Sequence, residues 1–230
     1  MNGGWEGKLY CFRCGAELIT EEVDGRVHWV CPRCAQDRWQ PGMPPRFCPH
    51  CAHPLEERTA FGRLRPVCAE CGYVHFRDPK LGVSILIEEG QRVLLVRRAI
   101  EPGKGKWCLP CGFVDWDEEP EAAAARECRE EAGLAITNLE LLNAGHYDDD
   151  LRGPGINLTY RALIDAGALR PGDDAAEGRF FAPGELPPAE EMAFRSHRLV
   201  LEWWLKRNED EVESAGEQQA AGIADPSVDL

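Results

Sequence analysis

Gly112-Phe-Val-Asp-Trp-Asp-Glu118 and, eight residues on, Arg126-Glu127-Cys128-Arg129-Glu130-Glu131-Ala132-Gly133-Leu134 are the segments on which the reading of this 230-residue chain turns. As a pattern they are G-x5-E-x7-R-E-U-x-E-E-x-G-U, where U is apolar: seven fixed residues and two apolar ones at fixed spacing. A helix over about Pro120 to Ala132 puts Glu127, Glu130 and Glu131 at i, i+3 and i+4, on one face and one turn apart. Like charges so placed repel by a few tenths of a kcal/mol per pair on an exposed helix. A chain that gathers them beside a glycine-bounded loop is built to hold something divalent. The ends of the segment suit a helix. Pro120 fits the first helical position, Glu118 and Glu119 sit at the positive end of the dipole, and Gly133 fits a left-handed stop. Ala122 to Ala125 favour helix and are small enough to lie close on a sheet.

This segment resembles the signature of the Nudix hydrolases. The resemblance implies an α/β/α sandwich with a mixed sheet. It implies Mg²⁺ or Mn²⁺ held by Glu127, Glu130 and Glu131 across the diphosphate of a nucleoside diphosphate linked to another moiety. Arg126 and Glu118 would be the pair that locks the loop against the helix. The residue types suit that chemistry: hard cations prefer carboxylate oxygen, and such ions neutralise a diphosphate and acidify a bound water. Two positions depart from the usual pattern. Cys128 stands where Ile, Leu or Val is common, and Leu109-Pro110-Cys111-Gly112 replaces Leu-Pro-Gly-Gly, so that a Cβ at 111 narrows the backbone approach to a phosphate.

Eleven cysteines are present, eight of them in two blocks, Cys11-x2-Cys14-x16-Cys31-x2-Cys34 and Cys48-x2-Cys51-x16-Cys68-x2-Cys71. Each cysteine of the second block follows its counterpart by 37 residues, which marks an internal duplication. Paired C-x2-C at this separation predicts two structural zinc ions, each four-coordinate and each contributing folding energy to a segment too small for a core of its own. Gly15 and Gly72 follow knuckles and supply backbone freedom there. Cys108, Cys111 and Cys128 are read singly, as core or loop thiols. The six histidines show no ligand spacing among themselves.

The formal net charge is −14, unevenly spread. Residues 1–77 hold ten Lys/Arg and nine Asp/Glu (+1), and residues 78–230 sixteen and thirty-one (−15). An acidic protein is a poor non-specific binder of nucleic acid, although the near-neutral ribbons leave that partner open. No run approaches a membrane span, and the first residues, MNGGWEGKLY, lack a secretory pattern. The expectation is a cytoplasmic protein with reduced thiols.

The expected organisation is a first ribbon and linker (1–44), a second ribbon (45–77), the Nudix domain (78–208) and a disordered acidic tail (209–230). Trp29 and Trp39 are expected over the knuckles. Within the domain, strands are expected at Gly82–Ile87, Gln91–Arg98, Trp107–Val114, Leu139–Tyr147, Asn157–Ile164 and Gly178–Ala182. A closing helix from Phe194 to Lys206 would bury Trp203 and Trp204. Glu177 is the candidate further carboxylate, with Asp173 and Asp174 as competitors. Arg97 and Arg98 are candidates for a phosphate, one of the two reaching it. Gly112 and Tyr147 complete the candidate substrate contacts, with Phe113 and Tyr160 as further aromatics.

A four-cysteine ribbon also precedes the box in NADH pyrophosphatases, but their Ser-Gln-Pro-Trp run is missing after Leu134. Arg77-Asp78-Pro79-Lys80, Gly105-Lys106-Trp107 and Ala193-Phe194-Arg195-Ser196 look more like the plant plastid and bacterial zinc-ribbon Nudix group, which acts on ADP-ribose and FAD. That likeness implies a metal-dependent hydrolase releasing AMP, with NADH or NAD-capped RNA as alternative substrates. Dimers are common in the family. A nucleotide-sensing regulator, binding nucleic acid or protein through its ribbons, is the reading from another class.

Overall fold

The computed structural model describes residues 8–23, 26–34, 45–148 and 153–221. The chain divides into two compact units, one ending at Asp78 and the other beginning at Pro79. The ribbons, expected as separate domains, both fall in the first unit. Tyr10 N–H donates to the Pro49 carbonyl, and the N–H groups of Arg46 and Phe47 share the Phe12 carbonyl.

Each ribbon is a hairpin set on cysteine turns. Strands β1 (Ile19–Val23) and β2 (Arg26–Val30) pair antiparallel, as do β3 (Leu55–Ala60) and β4 (Arg63–Cys68). The turns repeat one backbone scheme. Cys11, Cys48 and Cys68 each donate an N–H to the carbonyl five residues on, and each accepts one from the residue four on. That fourth residue is Gly15, Ala52 or Gly72, with φ of 71, 62 and 75°. Two of the three turns use glycine for this left-handed position, whereas Ala52 carries its Cβ there at a cost. Trp29, expected over a knuckle, is half-exposed, and Trp39 lies outside the described residues.

The second unit is built on a seven-stranded mixed sheet. Its strands are β5 (Lys80–Glu89), β6 (Arg92–Arg98), β7 (Trp107–Cys108), β8 (Cys111–Phe113), β9 (Leu134–Tyr147), β10 (Gly155–Gly167) and β11 (Ala175–Phe181). The main order is β11-β6-β5-β10-β9, with β10 parallel to β5 and the other pairs antiparallel. Helix α1 (Pro120–Ala132) covers one face and α2 (Arg195–Ala221) the other. Strand β5 shows why both faces are dry. Val83, Ile85 and Ile87 pack with Ala123, Ala124 and Cys128 of α1, while Leu86 packs with Leu201 and Trp204 of α2. Two-residue alternation sends successive side chains to opposite helices. Trp204 is fully buried, and its Nε1–H donates to Glu88 over 2.7 Å. Glu88 also accepts from Arg161 over 2.6 Å and from Arg207.

Two expectations are corrected. Trp107–Val114 is not one strand: Leu109 and Pro110 interrupt it, since proline brings no N–H to a ladder. Strands β5 and β6 pair only beside their turn, at Glu88/Val93 and Glu89/Arg92. Beyond it they part, β7 joining β6 and β8 joining β5. The closing helix also runs past Lys206 to Ala221, into the stretch expected to be disordered. Glu, Gln and Ala there are strong helix formers. Residues 222–230 of that stretch lie outside the described residues. Among the described residues no helix is long and apolar enough to cross a membrane.

Candidate active site

The split between β7 and β8 opens onto α1, and the box residues meet there. Helix α1 has the expected bounds, with Pro120 in its first turn and Gly133 left-handed at φ 71°, its N–H returning to the Arg129 carbonyl over 3.0 Å. The buried stripe of α1 is Ala123, Ala124, Glu127, Cys128, Glu131 and Ala132, so two carboxylates stand among its core residues. Glu130 points further out, with 42% of its side chain exposed.

Arg126 organises the loop. Its Nε and Nη2 form a two-pronged pair with Glu118, at 2.9 and 2.8 Å, and Nη2 also reaches the Phe113 carbonyl at 3.0 Å. Its Nη1 donates to Glu127 at 2.7 Å and Glu130 at 3.1 Å. The guanidinium holds the Glu118 carboxyl below the usual range. Burial raises Glu127 despite Arg126, with Glu130 and Asp173 adding repulsion. Burial pushes Glu131 up to about 9, with thiolate charge at Cys108 contributing and the Cys111 N–H, 2.9 Å from Oε2, opposing. Gly112 lies flat against Glu127: a Cβ there would sit 1.9 Å from Oε1. The backbone is a cradle for this carboxylate.

The donor set fits Mg²⁺ or Mn²⁺. Glu127 and Glu130 line the cleft, Glu131 sits one helical turn from Glu127 against the Cys111 N–H, and hard cations take such oxygen donors. Their oxygens are not drawn into one tight cluster, because Arg126 takes Glu127 and Glu130 while the Cys111 N–H takes Glu131. The cleft encloses about 280 Å³. Glu127, Glu130, Arg126, Gly112, Arg98 and Tyr147 line it, as do Phe113, Asp115, Asp173 and Asp174. A groove of about 500 Å³ adjoins it through Tyr147, Asn157 and Ser196, with Leu199 and Trp203 along its side.

Not every candidate arrives. Glu177 pairs with Arg97 across β11 and β6 at 3.6 Å, and neither lines the cleft. Arg98, one residue on, points inward, 4% exposed and bonded to the Pro102 carbonyl. Tyr160 is a core residue whose hydroxyl donates to Glu121. Trp203 is half-exposed along the groove rather than buried.

The cysteine blocks also assemble. Cys11, Cys14, Cys31 and Cys34 have ligand atoms all within 4.8 Å of one another, as do Cys48, Cys51, Cys68 and Cys71. Close sulfur pairs run from 3.4 to 4.0 Å, against about 3.8 Å for the edge of a tetrahedron with 2.3 Å zinc–sulfur bonds. None of the eleven cysteines is in a disulfide. A third such cluster went unread in the sequence: Cys108, Cys111 and His197. Its signal was present, because Cys108-Leu-Pro-Cys111 is itself a C-x2-C pair. The Cys111 hydrogen bond and then His197 and Arg98 pull Cys108 down, while its own bond to Cys108 and burial push Cys111 up.

With this geometry in place, a family model described as the NUDIX domain matches residues 78–204, more than half of the chain. The chain belongs to the Nudix family. An ADP-ribose pyrophosphatase of Methanocaldococcus jannaschii is 34% identical over 137 residues, 59% of this chain and 78% of that protein. The NAD-capped RNA hydrolase NudC of Vibrio vulnificus is 24% identical over 166 residues, 72% of this chain but only 61% of NudC. In structure, a Nudix hydrolase from Nitrosomonas europaea superposes with a TM-score of 0.61 at 30% identity, covering 71% of this chain and 93% of that one. This Nudix protein is a hydrolase with the mixed sheet and flanking helices of the family, preceded by two small hairpins with cysteine clusters.

Proposed function

We propose that this protein hydrolyses the diphosphate of an ADP-containing molecule, ADP-ribose or FAD before others, releasing AMP in a Mg²⁺- or Mn²⁺-dependent reaction. The observation that carries the reading is the cleft that joins the box carboxylates to a larger, partly apolar groove. One end suits a charged diphosphate and the other suits the rest of a dinucleotide-sized molecule. The ADP-ribose pyrophosphatase relative supports the choice of substrate class.

Glu127, Glu130 and Glu131 would hold the ions, which would neutralise the diphosphate and lower the pKa of the attacking water. Arg126 keeps Glu127 and Glu130 turned toward the cleft and fastens the 113–118 loop through Glu118. Arg98 and Gly112 face the phosphates, and Tyr147, where cleft and groove meet, faces the nucleoside. Asp173 and Asp174, on the cleft wall, take precedence over Glu177 as proton acceptor from water. The cysteine blocks, residues 11–34 and 48–71, would hold one structural zinc ion each.

Purified protein with Mn²⁺ should release AMP from ADP-ribose or FAD, with at least a hundredfold loss in Glu130→Gln and Glu131→Gln. Failure of a broad nucleotide panel to show any turnover sensitive to these two changes would sink the proposal. The NudC relative motivates one alternative, and NADH and NAD-capped RNA belong in the same panel. Faster turnover of either would move the substrate to that class.

A further inference from the structure

We propose that Cys108, Cys111 and His197 bind a third zinc-class ion, on the floor of the catalytic cleft and distinct from the carboxylate-bound ions. The ligand atoms of the three residues all lie within 4.8 Å of one another, the same closeness met by the two four-cysteine sets. Two thiolates and an imidazole are the soft and borderline donors that select zinc over magnesium. Their origins make the convergence more than a local turn. Cys108 ends β7, Cys111 opens β8, and His197 stands in the first turn of α2, on the far side of the sheet from α1. Cys108 and His197 are buried, at 0 and 3% exposure.

The imidazole already faces this turn, because the Leu109 N–H donates to its Nδ1 over 3.2 Å. That lone pair is the one an ion would take. Charge favours occupancy as well. Arg98 lies against Cys108, and Glu131 is held by the Cys111 N–H. Binding an ion releases the remaining thiol proton, and the two thiolates then balance its double charge. Cys111 and His197 both line the cleft, so three protein ligands would leave a fourth position open to it. Bound there, the ion ties the β7–β8 segment, including the Gly112 cradle, to the start of α2.

The test is zinc content of the full chain, purified with reductant and without chelator. Wild type should carry one zinc more per chain than Cys111→Gly or His197→Gln. Cys128→Ser, which alters a buried thiol outside the cluster, should match wild type. Cys111→Gly restores the glycine usual at this position, and circular dichroism of each variant checks that it is folded. A measurement on wild type alone guards against misfolded variants. X-ray absorption at the zinc edge should give about 3.3 sulfurs per zinc with a nitrogen contribution, against 4 for ribbons alone. Equal zinc in wild type and both cluster variants would overturn the proposal. So would an all-sulfur zinc shell, or a Cys108–Cys111 disulfide mapped in the protein as purified, which would make the pair a redox couple instead.

Discussion

Gly112→Ala tests the site at its tightest point. Gly112 is not among the glycines with positive φ, so alanine meets no backbone penalty there. What it meets is Glu127, whose Oε1, Cδ and Oε2 lie 1.9, 2.0 and 2.4 Å from the added Cβ. Ordinary contact begins at 3.4 Å, so the carboxylate must retreat by about 1.5 Å. The end of a glutamate can swing, and the change should fold. Losing the 2.7 Å bond from Arg126 costs about 1–3 kcal/mol, partly offset by about 0.4–1 kcal/mol from the stiffer unfolded chain. Catalysis has no such offset. A misplacement of about 1 Å in a positioned group costs on the order of a hundredfold, so kcat should fall by at least that much. Mn²⁺ affinity should fall with it while the Tm moves by only a few degrees. Steady-state kinetics, Mn²⁺ titration and a thermal melt on one preparation decide the matter. Wild-type kcat and Mn²⁺ affinity in Gly112→Ala would refute the cradle and the role given to Glu127.

Arg126→Lys removes the two-pronged bond to Glu118 and the bond to the Phe113 carbonyl, which one ammonium cannot replace. Urea unfolding should show about 1–3 kcal/mol lost, with kcat reduced at least tenfold. Glu131 predicts a pH effect. Its pKa of about 9 in the folded, ion-free protein, against an ordinary 4.5, means that the folded state binds the extra proton between those values. Stability in Mg²⁺-free buffer should therefore fall as pH rises from about 4.5 to 9, by at most about 1.4 kcal/mol per unit. Glu131→Gln should flatten that slope, and an equal slope in the variant would refute the assignment. Glu88→Ala leaves Trp204 Nε1 and two arginines without their shared acceptor. A loss of about 3–5 kcal/mol in unfolding free energy is expected, with kcat unchanged below the transition.

Much of the site was legible in the linear pattern, because the spacing of Glu127, Glu130 and Glu131 places them on one helix whatever that helix packs against. The cysteine blocks were legible for a similar reason, since C-x2-C is a local turn and its 37-residue repeat needs no tertiary information. Contacts between distant segments were not. Arg97 and Arg98 are neighbours in one strand, and only the pleat and the path of β7 decide that Arg98 enters the cleft while Arg97 turns to Glu177. The third cluster shows both sides of this. Cys108 and Cys111 were a readable pair, but nothing in the residues around His197 tells that α2 will start beside them.

The amino-acid sequence by itself determined the helix, its caps, the carboxylate face and the paired thiols, all of which depend on residues within a few turns of one another. Tertiary structure decided that β5 and β6 part, that Pro110 carries the chain across the gap, and that Gly112 thereby presses on Glu127. The physical reason is the range of the forces. Helical hydrogen bonds and cysteine turns close over three to five residues, whereas the cleft depends on pairings between separate strands, β7 with β6 and β8 with β5.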